Sequence, residues 1–233
     1  MIKLYLKYFK DLIRAGFNTD GDNKFSKIII KKIKKGNYLD VGCYHPFKES
    51  QTVYLYKKGW RGVNLDISKD TIKLFDIFRK EDKNLHLGLS IKNGKQYAYF
   101  EKNISTLSSL DKNHLGNVGR SIKLKKSINV IKLKTLRKKY NLSRIDFIKL
   151  DCENLDEQII NKSGLNDLNC IFLSIELLPQ TQYGWKNFKL PKKNVNKFCR
   201  NYFIKSKIYK KLKRKFTLID NNKFSFLLRR KFA

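Results

Sequence analysis

Five short apolar runs, spaced along the chain and separated by helical stretches, constrain this sequence more than any other feature. They are Tyr38-Leu39-Asp40-Val41-Gly42, Gly62-Val63-Asn64-Leu65-Asp66, Leu85-His86-Leu87-Gly88-Leu89, Asp146-Phe147-Ile148-Lys149-Leu150-Asp151 and Cys170 to Glu176. Between them, residues 25–35, Ser50 to Lys58, Ile72 to Arg79 and the stretch from Leu155 onward read as helices, the first two stopped by Gly36 and Gly59. Strands alternating with helices predict an α/β fold: a parallel sheet covered by helices on both faces. Two further runs, 95–100 and 128–133, alternate at period two and read as strands around a loop-like region from Ser105 to Ser127. Near the end, Phe216 to Ile219 and Phe224 to Leu228 flank Asp220-Asn221-Asn222, which predicts an antiparallel hairpin turning on those three residues.

The 233 residues contain no internal repeat and no Pro/Gly/Ser linker, so a single domain over 36–233 is the economical reading. Residues 1–35 are read as amphipathic helices packing on or beside it. Lys3, Lys7, Lys10 and Arg14 share one helical face, with Leu4, Tyr5, Tyr8, Phe9, Leu12 and Ile13 filling much of the rest. The primary expectation is a helix packed on the domain; the second is a basic helix lying against anionic lipid.

Four of the five main runs end in a carboxylate: Asp40, Asp66, Asp151 with Glu153 two residues on, and Glu176. In open α/β sheets ligands bind outside the carboxyl ends of the strands. Clustered carboxylates repel, so stability alone does not favour such an edge. A dinucleotide site wants three glycines after the first strand, whereas Asp40-Val41-Gly42-Cys43-Tyr44-His45-Pro46 has one, and no Walker loop is present. What remains is a glycine for a tight turn and Asp66, 24 residues further on, placed to accept from ribose hydroxyls. A cationic nucleoside without a pyrophosphate suits a carboxylate-lined pocket, and S-adenosylmethionine is such a ligand. The four cysteines form no CxxC pair and no histidine follows at zinc-ligand spacing, so no metal ligand set is expected.

The run from Tyr38 to Pro46, Ser50-Gln51-Thr52, the stretch Leu55 to Asp66, Ser105-Thr106-Leu107, Lys132 to Leu136, Ile145 to Glu153 and the tail Phe216 to Arg229 together resemble an FkbM-type methyltransferase domain, over about residues 36–229. The resemblance implies a Rossmann-like class I, S-adenosylmethionine-dependent methyltransferase that commonly O-methylates a sugar or other small hydroxylated acceptor. It implies cofactor contacts from Asp40, Gly42, Tyr44 and Asp66, with Ser90 near the adenine. It places Asp151 and Glu153 at the reaction centre as candidates for the base, with His45 as a third choice. The chain departs from the family pattern at Asn154, where a glycine is usual, at Ile67-Ser68, where many members have a proline, and at Arg137, where an acid is common.

Charge sets the remaining expectations. There are 52 Lys+Arg against 20 Asp+Glu, and the acid-free blocks 112–145 and 177–219 hold 24 of the 52. A basic balance of this size predicts affinity for something anionic. Compositional drift is the competing cause, since Lys, Asn and Ile are abundant throughout. The block 192–215, with interleaved Phe198, Tyr202, Phe203, Ile208, Tyr209 and Leu212, reads as a solvated helix packing its apolar stripe on the sheet. The alternatives are an RNA methyltransferase using the basic blocks, or a non-catalytic basic module that contacts nucleic acid or an anionic membrane. Scattered cysteines and the absence of an apolar run long enough to span a bilayer suggest a reduced, cytoplasmic protein, peripheral at the membrane at most. Among other singled-out residues, His86 is expected to be packed in its strand, His114 shows no evident partner, and Trp60 and Trp185 are read as core or pocket-wall aromatics.

Overall fold

The structure, a computed structural model, describes Leu6 and residues 22–153, 155–162, 167–178 and 190–231. The expected N-terminal helix (Leu6 apart), Asn154 and Trp185 lie outside the described residues.

The chain begins with α1 (Lys24–Lys32), followed by β1 (Asn37–Val41), α2 (Val53–Lys57), β2 (Arg61–Asp66), α3 (Lys69–Phe78) and β3 (Lys83–His86). Next come β4 (Gly88–Leu89), β5 (Gly94–Phe100), α4 (His114–Asn117), β6 (Leu124–Ile131), α5 (Leu133–Lys139) and β7 (Phe147–Leu150). The last third holds α6 (Asp156–Lys162), β8 (Phe172–Glu176), α7 (Val195–Lys205), α8 (Lys207–Leu212), β9 (Phe216–Asn222) and β10 (Ser225–Arg230). Local chemistry explains several boundaries. Ser68 caps α3 by accepting from the Thr71 amide, and Ser206 separates α7 from α8 by donating to the Phe203 carbonyl and accepting from the Tyr209 amide.

Seven strands form one sheet in the order β3-β2-β1-β7-β8-β10-β9. The first five pair in parallel and the last two run antiparallel as a hairpin. The expected Rossmann-like α/β architecture is present. Strand order reverses between β1 and β7, which makes the gap beyond their carboxyl ends the switch point. Alternate residues of these strands feed two cores. Tyr38, Phe147, Phe172 and Leu227 pack with Phe25 and Ile29 of α1 and with Trp60. Leu39, Ile148, Leu173 and Leu228 pack with Leu136, Ile160, Phe203 and Leu212 on the opposite face. Phe203 of α7 stacks on Phe226 at 4.0 Å between centroids, the apolar stripe expected of the basic block.

Two boundaries differ from expectation. The third apolar run is divided: Lys83–His86 joins the main sheet, whereas Gly88–Leu89 pairs with β6 in a separate three-stranded sheet, β4-β6-β5. The Leu87 amide, bonded to the Asp66 carbonyl, marks the crossover. His86 therefore lies exposed on the edge strand rather than packed. The C-terminal hairpin runs on through Asp220-Asn221-Asn222, which belong to β9, and turns at Lys223, whose φ of 49° is left-handed. A bulge between Leu227 and Leu228 takes up the resulting register shift.

Candidate active site

One register level of the main sheet is polar. Asn64 of β2, Asp40 of β1, Lys149 of β7 and Ser174 of β8 are successive cross-strand partners, and all four are buried. Such a row is costly unless every member is paired. Asn64 donates to Asp82 and Asn84. Ser174 donates to the Gln51 side chain at 2.8 Å. Asp40 accepts from the Thr52 hydroxyl at 2.6 Å, and Thr52 in turn accepts from the buried Arg79 guanidinium at 3.0 Å. Residues 50–52, just before α2, thus act as a polar lid over the row.

Lys149 is the centre of the row. Its Nζ lies 3.6 Å from Asp40 and 3.1 Å from Asp151, and donates to the Gly42 carbonyl at 2.5 Å. Burial works against its charge, but Asp151 and Asp40 outweigh it and hold the pKa above the ordinary lysine value. The carboxylate edge anticipated from the sequence is thus partly neutralised by an internal cation. Sequence reading missed it because an isolated lysine inside an apolar run carries no sign of which way it points.

The turn after β1 is tight. Gly42 has φ 69°, and a Cβ there would meet the Asp151 carbonyl oxygen at 1.9 Å, so only glycine lets the β1 and β7 loops approach. Tyr44 also sits in the left-handed region, at φ 55°. Its amide donates to Asp66 at 2.9 Å, and the Ser68 amide donates to the other Asp66 oxygen at 2.7 Å. Burial nevertheless raises the Asp66 pKa to about 6, against the pull of those two amides. His45 uses Nδ1 to accept from the Phe47 and Lys48 amides, which caps its own loop.

At the far wall, Glu153 adopts φ 47°, a strained conformation for a non-glycine residue. Its carbonyl accepts from Ser109, and its carboxylate lies 3.0 Å from Nε2 of His114, which is 2% exposed. The partner that sequence failed to show for His114 is therefore Glu153, supplied by α4 from the region expected to be loop. Burial raises the Glu153 carboxyl well above its usual range, with Asp151 and Asp156 adding to the effect, and Glu176 behaves alike for the same reasons. Asp156, which accepts from the Cys152 amide at 3.0 Å, is pushed up to about 7 by burial and by Asp151.

These groups surround an open cleft at the switch point. Asp40, Gly42, Tyr44, Asp66, Asp151 and Glu153 all line it. Ser90 lies instead in an adjoining depression that shares Leu110 and Leu155 with the cleft, its hydroxyl donating to Gln96. Trp60 belongs to the core, fully buried and donating to the Lys34 carbonyl. Among the described residues, the charged ones on the wall of the cleft are Asp40, Glu49, Asp66, Asp151 and Glu153 against Lys149, in a chain of net charge +32. Three buried side-chain atoms without a hydrogen-bond partner line the same space: Asp40 Oδ1, Ser108 Oγ and Asp151 Oδ1. Buried polar atoms are normally satisfied, so orphans concentrated in one cleft fit a polar, donor-rich ligand.

A parallel sheet with an antiparallel C-terminal hairpin and an acidic cleft at its switch point defines an α/β enzyme that takes a nucleoside-type ligand. The sequence matches the family described as methyltransferase FkbM domain over residues 40–212. The chain belongs to that family and is a methyltransferase. S-Adenosylmethionine is the cofactor of this class. Among solved structures, the chain is similar to a TehB-like SAM-dependent methyltransferase from Corynebacterium glutamicum, at 12% identity and TM-score 0.44, covering 98% of this chain and 97% of that one. It is also similar to 1,6-didemethyltoxoflavin-N1-methyltransferase from Burkholderia thailandensis, at 10% identity and TM-score 0.40, covering 100% and 89%. No curated protein matches the sequence.

Proposed function

We propose that this methyltransferase moves a methyl group from S-adenosylmethionine to a hydroxyl of a sugar or another small hydroxylated acceptor. The observation that carries the reading is the acidic wall of the switch-point cleft, with its orphaned oxygens, in an otherwise basic chain. The bound cofactor supplies an activated, cationic methyl donor. Asp66 accepts from its ribose hydroxyls, with the carboxylate held in place by the Tyr44 and Ser68 amides. The Gly42 turn and Asp40, whose Oδ1 is ion-paired with Lys149, face the methionine end, and Ser90 with the adjoining depression receives the adenine.

At the reacting end the protein mainly aligns donor and acceptor. A hydroxyl acceptor also needs a base. Glu153 fits that part best: burial raises its carboxyl well above the ordinary range, its backbone is strained, and its side chain stands at the cleft wall against His114. Asp151, paired with Lys149, is the second candidate. An acidic wall also disfavours a phosphate polymer inside the cleft, which weighs against an RNA acceptor.

The test is a mass screen for methylated products over sugars, other small hydroxylated compounds and RNA. A gain of one methyl on a small hydroxylated compound is expected, falling by about a hundredfold in kcat for Glu153→Gln with cofactor affinity unchanged. Methylation of RNA alone, or of nitrogen alone, overturns the reading.

A further inference from the structure

Where β7 and β8 end, three carboxylates converge. Asp151, Glu153 and Glu176 each bring one oxygen to within 4.8 Å of the others. Among the described residues, no ion pair joins Glu176 to a lysine or arginine. Lys149 engages Asp151 through Oδ2 and divides its charge with Asp40. The other Asp151 oxygen, Oδ1, is buried with no N–H or hydroxyl donor among the described residues, and the Asp151 and Glu176 carboxyls lie close enough to share a hydrogen bond.

A second observation comes from a different segment. The α4 helix delivers His114, 2% exposed, to this wall. Its Nε2 lies 3.0 Å from Oε2 of Glu153 and has no hydrogen-bond partner among the described residues. A buried imidazole nitrogen beside a carboxylate oxygen, with no hydrogen bond between them, is a geometry in which both atoms can donate to one cation. Two neighbouring donors of one octahedral ion sit about 3 Å apart.

We propose that Asp151, Glu153 and Glu176 form a divalent-cation site on the wall of the cleft, with His114 beside it as an additional nitrogen donor. The donor set is three hard oxygens with one imidazole and no thiolate. That favours Mg²⁺ or Mn²⁺ over a tetrahedral Zn²⁺ site. Asp151 and Glu153 line the cleft, so the ion's open positions face it. Given the methyltransferase reading, they fit an acceptor offering two adjacent oxygens; the binding site itself does not depend on that reading.

The experiment uses the full chain, stripped with a chelator, and titrates MnCl₂ by calorimetry and by water-proton relaxation, with no cofactor or acceptor present. One Mn²⁺ per chain is expected, with a dissociation constant at or below about 1 mM. Affinity falls at least about tenfold in Glu176→Gln and again in Glu153→Gln, while Glu49→Gln, a cleft acid outside the cluster, binds as the parent does. MnCl₂ also raises the melting temperature of the parent chain and leaves that of Glu176→Gln unmoved. If one variant does not fold, the other and the parent's melting shift decide. No saturable binding up to about 5 mM Mn²⁺, or equal binding in parent and folded variants, overturns the site. Because cofactor calorimetry and the product screen need no added metal to register cofactor binding or acceptor class, a failure here is distinguishable from a failure of the methyltransferase reading.

Discussion

Replacing Lys149 by methionine tests the electrostatics of the polar row directly. Methionine keeps much of the stem and removes the ammonium that sits 3.1 Å from Asp151 and 3.6 Å from Asp40. At an effective dielectric of about 20, each attraction is worth about 5 kcal/mol before desolvation is charged against it. Removing one partner of a buried pair leaves uncompensated charge, and the net cost is about 3–5 kcal/mol. For a domain of this size that lowers the melting temperature by about 6–20 °C. The pH dependence carries the sharper information. Lys149 has a raised pKa, so its stabilisation is complete below the ordinary lysine value and is lost only above the folded value, leaving the parent's Lys149 term flat from pH 5 to 8. In the variant, two carboxylates are left without their cation. Taking up a proton relieves them, so the deficit is largest at pH 8 and shrinks toward pH 5. Thermal melts of parent and Lys149→Met across this range measure both quantities. A melting temperature within about 2 °C of the parent, or a deficit that grows as pH falls, refutes the reasoning.

Asp66, with its pKa raised to about 6, is neutral below that value and charged above it, so cofactor affinity is expected to rise as pH climbs through about 6 and to level off above it. Asp66→Asn is expected to bind more weakly and without that pH dependence, and calorimetry with S-adenosylmethionine from pH 5 to 8 is the check. Gly42→Ala drives a methyl into the Asp151 carbonyl and forces a left-handed φ on alanine. It is expected to weaken cofactor binding by at least about tenfold and to lower stability by about 1–3 kcal/mol, both read from the same calorimetry and from denaturant unfolding.

The order of strands and helices, the carboxylates closing the strands and the single glycine after β1 were legible from sequence, because each is a local signal. Period-two and period-3.6 patterns report which residues can share a face, and an acid at the end of an apolar run lies at the sheet edge by chain geometry alone. The His114–Glu153 contact was not legible, since 39 positions separate the two residues and α4 holds only four residues. Nor was the division of the third apolar run between two sheets, because backbone pairing is chosen by whichever edge is free. The hairpin turn was misplaced by a few residues because a bulge, invisible in composition, let β9 continue through its polar stretch.

Sequence by itself therefore determined the class of fold, the edge of the sheet at which the cleft opens and most of the acids that line it. Tertiary structure decided what those acids are worth. Cross-strand register lines Asn64, Asp40, Lys149 and Ser174 into one buried row, and only that alignment puts a lysine between two of the carboxylates. It leaves Glu153 and Glu176 to face each other with Asp151 beside them. The physical reason is that a side chain's charge is fixed by its chemistry, whereas the cost of that charge depends on its distance to partners and its removal from water. Both quantities exist only once the strands have paired.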